Sequence, residues 1–209
     1  MSSPEILCIF HSDATVLTFL KSTAGSELLG NLIIEVSAQP SLSYLLGLET
    51  PVNHPGLAGV LGPLKLEELA VEHPYAPAPI VLASGSSTSA SALRAALSQL
   101  KAKASDYRRI TLLVPMFEAA TIGAALGEAD RFAVAWDITA LPSPDLAKFA
   151  AWIRDEGLTD PACFDGMFSY TPNLLDGTAV SHVQKLSALM APLREANPAI
   201  QSEIAIAST

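Results

Sequence analysis

The sequence predicts an α/β fold with three layers, in which helices cover both faces of a mostly parallel sheet of about five strands. Short apolar runs alternate with amphipathic helical patterns along the 209 residues, and such alternation implies right-handed crossovers between parallel strands. Half of the residues are hydrophobic and only 16% are charged, against about 25% in an average soluble chain. This deficit is expected where a sheet is buried on both faces.

The first strand–helix–strand unit lies at the start of the chain. Glu5 to His11 reads EILCIFH, an apolar run that predicts a strand. Ser12 and Asp13 follow it and are residue types that cap helix N-termini. An amphipathic pattern then continues to Gly30, which is a plausible helix stop. The second strand is predicted over residues 31–36, which read NLIIEV.

Residues 38–79 break this regularity. The segment holds seven of the fifteen prolines and four of the twelve glycines, which excludes long regular elements. One short helix is predicted over 64–71, because Pro63 can precede it as a start signal. The segment is interpreted as an irregular insertion, and a lid, an interface arm and a crossover covering a sheet edge all remain open.

Regular elements return after residue 79 and complete one predicted domain over residues 1–209. The loop over 159–177 is predicted to be irregular, and a weak alternation over 200–207 indicates a possible C-terminal edge strand. Together these elements predict a flavodoxin-like or Rossmann-like architecture. The remaining strands are predicted over 80–83, 109–114 and 131–138, and the helices over 90–104, 115–127, 144–156 and 178–196.

Charge and cysteine content narrow the classes of partner and compartment. A net charge of −9 disfavours nucleic acid, because phosphate neutralisation needs clustered cations. The densest basic group, Lys101 to Arg109, is explained by the favourable position of cations at a helix C-terminus. Cys8 and Cys163 form neither a disulfide framework nor a metal motif. No membrane span is expected, and a cytoplasmic location is predicted from the thiols and the polar N-terminal region.

The carboxyl ends of the strands are the predicted ligand-binding edge, because parallel sheets bind ligands there at a switch in strand order. The loop after the third main strand contains Ser84, Gly85, Ser86, Ser87 and Thr88. Backbone N–H groups and hydroxyls that enter a helix can hold a phosphate or carboxylate, although the same residues also serve as ordinary caps. This loop lacks the G-x-x-x-x-G-K-[ST] and G-x-G-x-x-G patterns.

Four further residues are candidate catalytic groups because each follows or ends a predicted strand. His11 and Asp13 follow the first strand, Glu118 the fourth and Asp137 ends the fifth. Glu118 and Asp137 could supply an acid–base carboxylate or a magnesium ligand if their strands are adjacent. A strand-end histidine bonded to a neighbour, a helix cap and surface solvation explain the same residues without function. No metal motif and no specific cofactor is indicated.

Two classes of function remain open from the sequence. The first is a small-molecule enzyme or ligand-binding domain whose anionic ligand rests on residues 84–88, with His11, Asp13, Glu118 or Asp137 as polar partners. The second is a non-catalytic subunit of a larger assembly, favoured by the low charge content and the Pro/Gly-rich insertion, since surfaces covered by subunits need fewer charged groups. A homo-oligomer or another assembly partner is expected in that case.

Overall fold

Eight strands and the helices α1 and α2 lie within the described part of the chain. The computed structural model describes residues 3–11, 32–36, 70–71, 80–81, 90–104, 106–116, 119–137, 164–170, 191 and 204–206. The strands are β1 (Glu5–His11), β2 (Leu32–Glu35), β3 (Ala70–Val71), β4 (Ile80–Val81), β5 (Arg109–Pro115), β6 (Arg131–Asp137), β7 (Phe164–Tyr170) and β8 (Ile204–Ile206), and the helices are α1 (Ala90–Lys103) and α2 (Ala119–Leu126).

All eight strands form one sheet in the order β3-β4-β2-β5-β1-β6-β7-β8. Every neighbouring pair is parallel except β3 with β4, which is antiparallel. The predicted fold class, a mostly parallel α/β sheet, is therefore confirmed, although the described part of the sheet has eight strands where about five were predicted. The parallel majority explains the apolar strands, because such a sheet is covered on both faces.

The centre of the sheet is built from β1 and its two neighbours, β5 and β6. Ile6 to Phe10 are all at most 1% exposed, so residues of both alternating sets on β1 are buried. Phe10 meets Phe132 of β6 edge to face, with 6.2 Å between the ring centroids. Such pairs add to the stabilisation given by area burial.

Helices α1 and α2 contact each other, and α2 also contacts β5. The connections that contain them both run in the same direction along the sheet, from β4 to β5 and from β5 to β6. Right-handed crossovers in the same direction place their helices on the same face, which explains the contact. Ala96, Leu97 and Leu100 form the buried side of α1.

The amino-terminal end of the central strands carries a group of ion pairs. Arg109 Nε lies 2.7 Å from Glu5 Oε2, and Arg131 Nη1 lies 3.9 Å from Glu5 Oε1. Lys101 Nζ lies 2.9 Å from Asp130 Oδ1. Lys101 and Arg109, both in the basic Lys101–Arg109 segment, are therefore paired with carboxylates.

Several element boundaries agree with the sequence predictions. β1 has the predicted bounds, and α1 differs from its predicted helix by one residue. A C-terminal edge strand was expected within 200–207 and is present as β8. The predicted helices over 144–156 and 178–196 lie outside the described residues, except that Ala191 is helical.

Three sequence predictions were wrong in detail. Phe164–Tyr170 is a strand in the segment predicted to be an irregular loop; its sequence, FDGMFSY, has no apolar run, and the strand is recognised by its pairing with β6. Pro115 ends β5 instead of starting a helix, since it pairs with His11 and the next N–H, on Met116, donates to the His11 carbonyl at 3.1 Å. Ala70 and Val71 pair with β4 as a strand, so the predicted 64–71 helix does not reach them.

Candidate functional site

The strand order changes direction between β1 and β6. The chain that leaves β1 next enters β2, which lies beyond β5 on one side, whereas the chain that leaves β6 next enters β7 on the opposite side. Connections that diverge from neighbouring parallel strands leave a crevice at the carboxyl ends, and this is where open α/β sheets bind ligands. The topology thus identifies the β1/β6 edge as the candidate site.

His11 is the last residue of β1 and stands directly at this edge. Its register partners are Pro115 of β5 and Ala135 of β6. The residue is only 1% exposed, and its Nε2 atom is buried. The imidazole is therefore buried at the carboxyl end of the central strand β1.

Glu35 is a buried carboxylate at the same edge that the sequence reasoning did not select. It ends β2 and is 0% exposed. Its register partner is Leu113 of β5, which in turn pairs with Ile9 of β1. Side chains alternate between the two faces of a strand, so His11, two residues after Ile9, lies on the same face as Glu35. The available signal was one acidic residue within the apolar run NLIIEV.

Thr111 adds a third buried polar side chain to that face. It is 0% exposed and lies on β5 two residues before Leu113. Buried polar groups normally take part in hydrogen bonds, and three of them on one face distinguish it from the opposite face. On that opposite face, the buried side chains of β1 and β5 are apolar, namely Ile6, Cys8, Phe10, Ile110, Leu112 and Val114.

Of the other predicted site residues, Asp137 is described by the structure, and the rest are known only by their order in the chain. Asp137 ends β6, two residues past the partner of His11. Asp13, Glu118 and the segment 84–88 lie outside the described residues. By connectivity, however, Asp13 follows β1 and Glu118 follows β5, so the four candidate catalytic residues belong to the ends of three neighbouring strands. The strands of Glu118 and Asp137, β5 and β6, are not adjacent as their joint role required, because β1, which leads to Asp13, lies between them.

The strand that precedes the serine-rich segment 84–88 in the chain is not next to β1. This strand is β4, which is separated from β1 by β2 and β5. At about 4.8 Å per strand, the axes of β4 and β1 are about 14 Å apart. Glu35, at the end of β2, lies between these two strands in the order of the sheet.

Charge is unevenly distributed along the described strands. Arg109 and Arg131 are each the first residue of their strand, at the amino-terminal end of the sheet. The last residues of β2 and β6 are acidic, Glu35 and Asp137. On the carboxyl-end side, the described part of the chain offers one exposed cation, Arg94, about one turn into α1.

Among the residues with described positions, no group of three or more His, Cys, Asp or Glu side chains could hold a metal ion. Cys8 lies in the core, where burial raises the pKa of its thiol well above the ordinary value of 9.0. No described helix has the length and apolar character needed to cross a membrane.

Comparisons with known proteins support the fold and not a family. The chain matches no protein-family model and no curated protein. It is similar to the structure of apo McdA from Cyanothece, with a TM-score of 0.61 and 14% identity over 98% of this chain and 87% of McdA. Cobyrinic acid a,c-diamide synthase from Mycobacterium smegmatis, with bound ADP and magnesium, gives a TM-score of 0.60 and 16% identity over 89% of this chain and 80% of the synthase.

A third similar structure is the MinC:MinD cell division protein complex of Aquifex aeolicus. Its matched chain gives a TM-score of 0.60 and 14% identity, over 97% of this chain and 80% of that one. At identities this low, the similarity establishes the shared fold alone. The chain therefore shares the parallel α/β fold of McdA, MinD and cobyrinic acid a,c-diamide synthase.

Proposed function

We propose that this chain is a ligand-binding α/β domain that holds a small phosphate- or carboxylate-bearing ligand at the carboxyl ends of its strands. The observation that carries the proposal is the divergence of the connections at β1 and β6, with His11 and Asp137 at the ends of those strands. Such a divergence is the general location of ligand sites in this architecture.

Bound nucleotides in several similar structures support a phosphate-bearing ligand. They include the synthase with ADP and magnesium, a McdA–ATP complex and a plasmid partition protein of Borrelia burgdorferi with AMPPNP. The whole of the present sequence lacks the G-x-x-x-x-G-K-[ST] pattern whose amides and lysine hold nucleotide phosphates. We therefore propose binding through a different set of donors, without hydrolysis by a P-loop mechanism.

Residues 84–88 are the proposed donors. The segment directly precedes α1, whose described part begins at Ala90, and free amides together with the helix dipole favour an anion at such a position. Arg94, exposed about one turn into the helix, adds a positive charge on the same side. Asp13, Glu118 and Asp137 would carry an acid–base role or bind a magnesium ion that accompanies the ligand.

A thermal-shift experiment tests this function. Pyrophosphate and ADP, each with and without Mg²⁺, are expected to raise the melting temperature of the wild-type protein, because a ligand that binds only the native state stabilises it. The double variant Ser86→Ala/Ser87→Ala should lose this shift. Ser98→Ala, on the exposed side of α1, is the matched control and should keep it. Equal shifts in both variants would remove the serine-rich segment from the site.

A non-catalytic assembly subunit is the second candidate function. It is favoured by the low charged fraction of 16% and by the absence of the P-loop pattern, and MinD provides an example of this fold in a complex with another protein. Light scattering at micromolar concentration tests whether the chain assembles with itself. A homo-oligomer would have a mass that is a multiple of 21.9 kDa. A monomer would leave assembly with a different protein as the remaining form of this candidate function.

A further inference from the structure

We draw no further inference here: the strongest candidate, the group of buried polar side chains His11, Thr111 and Glu35 on one face of β1, β5 and β2, belongs to the candidate site already described, and nothing in the described part of the chain shows what covers it.

Discussion

Asp130, just before β6, connects β1 and α1 at the amino-terminal end of the sheet. Its replacement by alanine should lower the free energy of unfolding more than is usual for a residue at the surface. Its Oδ2 atom accepts a hydrogen bond from the Ile6 N–H at 2.8 Å, and its own N–H donates to the Ile6 carbonyl at 2.8 Å. Its Oδ1 atom pairs with Lys101 at the end of α1. Asp130 comes one residue before β6 begins, so the hydrogen bonds between β1 and this part of the chain start before the strand itself.

The magnitude of the loss depends mainly on the backbone hydrogen bond. Ile6 is 0% exposed, so Asp130→Ala leaves a buried N–H without its carboxylate acceptor, which costs about 1–3 kcal/mol. The side chains of the Lys101–Asp130 pair are 33% and 44% exposed, and such pairs contribute about 0–1 kcal/mol. A total destabilisation of about 1–4 kcal/mol is therefore expected, most of it from the backbone hydrogen bond.

Urea denaturation of three variants separates the two contributions. Asp130→Ala should show the full loss, Lys101→Met should lose no more than about 1 kcal/mol, and Asp130→Asn should lie between them because its amide oxygen can still accept from Ile6. The denaturant slope should stay constant, so that the change in midpoint reports stability. Equal losses in Asp130→Ala and Lys101→Met would refute the assignment to the backbone hydrogen bond.

Two further predictions concern the core. Burial raises the pKa of the Cys8 thiol, so near pH 9 the thiol ionises only in the unfolded chain. Its ionisation therefore leaves the free energy of unfolding unchanged below about pH 9 and lowers it above that pH by about 1.4 kcal/mol per pH unit. Comparing the unfolding free energies of wild type and Cys8→Ala between pH 8 and 10 isolates this slope, and parallel curves would contradict it. Phe10→Ala should cost about 3–5 kcal/mol, because the ring is fully buried against Phe132; a loss below 1 kcal/mol in chemical denaturation would exclude this packing.

The central strands could be predicted from the sequence because the pattern that marks a buried strand, a short apolar run, is local. β1, β2, β5 and β6 are apolar runs buried on both faces, and such runs are visible without knowledge of their partners. β7 was missed because Gly166 and the polar residues of FDGMFSY interrupt its pattern, and pairing with β6 determines its conformation. The strand order likewise depends on long-range pairing and cannot be read from apolar runs.

The candidate site was predictable in location but not in composition. The rule that ligands bind at the carboxyl ends selected His11 and Asp137, and the structure places their strands side by side. Glu35 was overlooked because one acidic residue in a strand has no motif, and its full burial becomes evident only when β2 lies between β4 and β5. The separation of β1 from β4, which precedes the serine-rich segment in the chain, also follows only from this order.

An NMR titration tests the proposed function most directly. Pyrophosphate or ADP–Mg²⁺ is added to the isotope-labelled protein, and the changes in amide chemical shifts are measured. The account predicts that the largest changes occur at residues after the carboxyl ends of β1, β4 and β6, including 84–88 and the positions around Asp137. Amides near Arg109 and Asp130, at the amino-terminal end, should change little. Changes confined to that amino-terminal end, or no changes with either ligand at millimolar concentration, would contradict an anion site at the carboxyl edge.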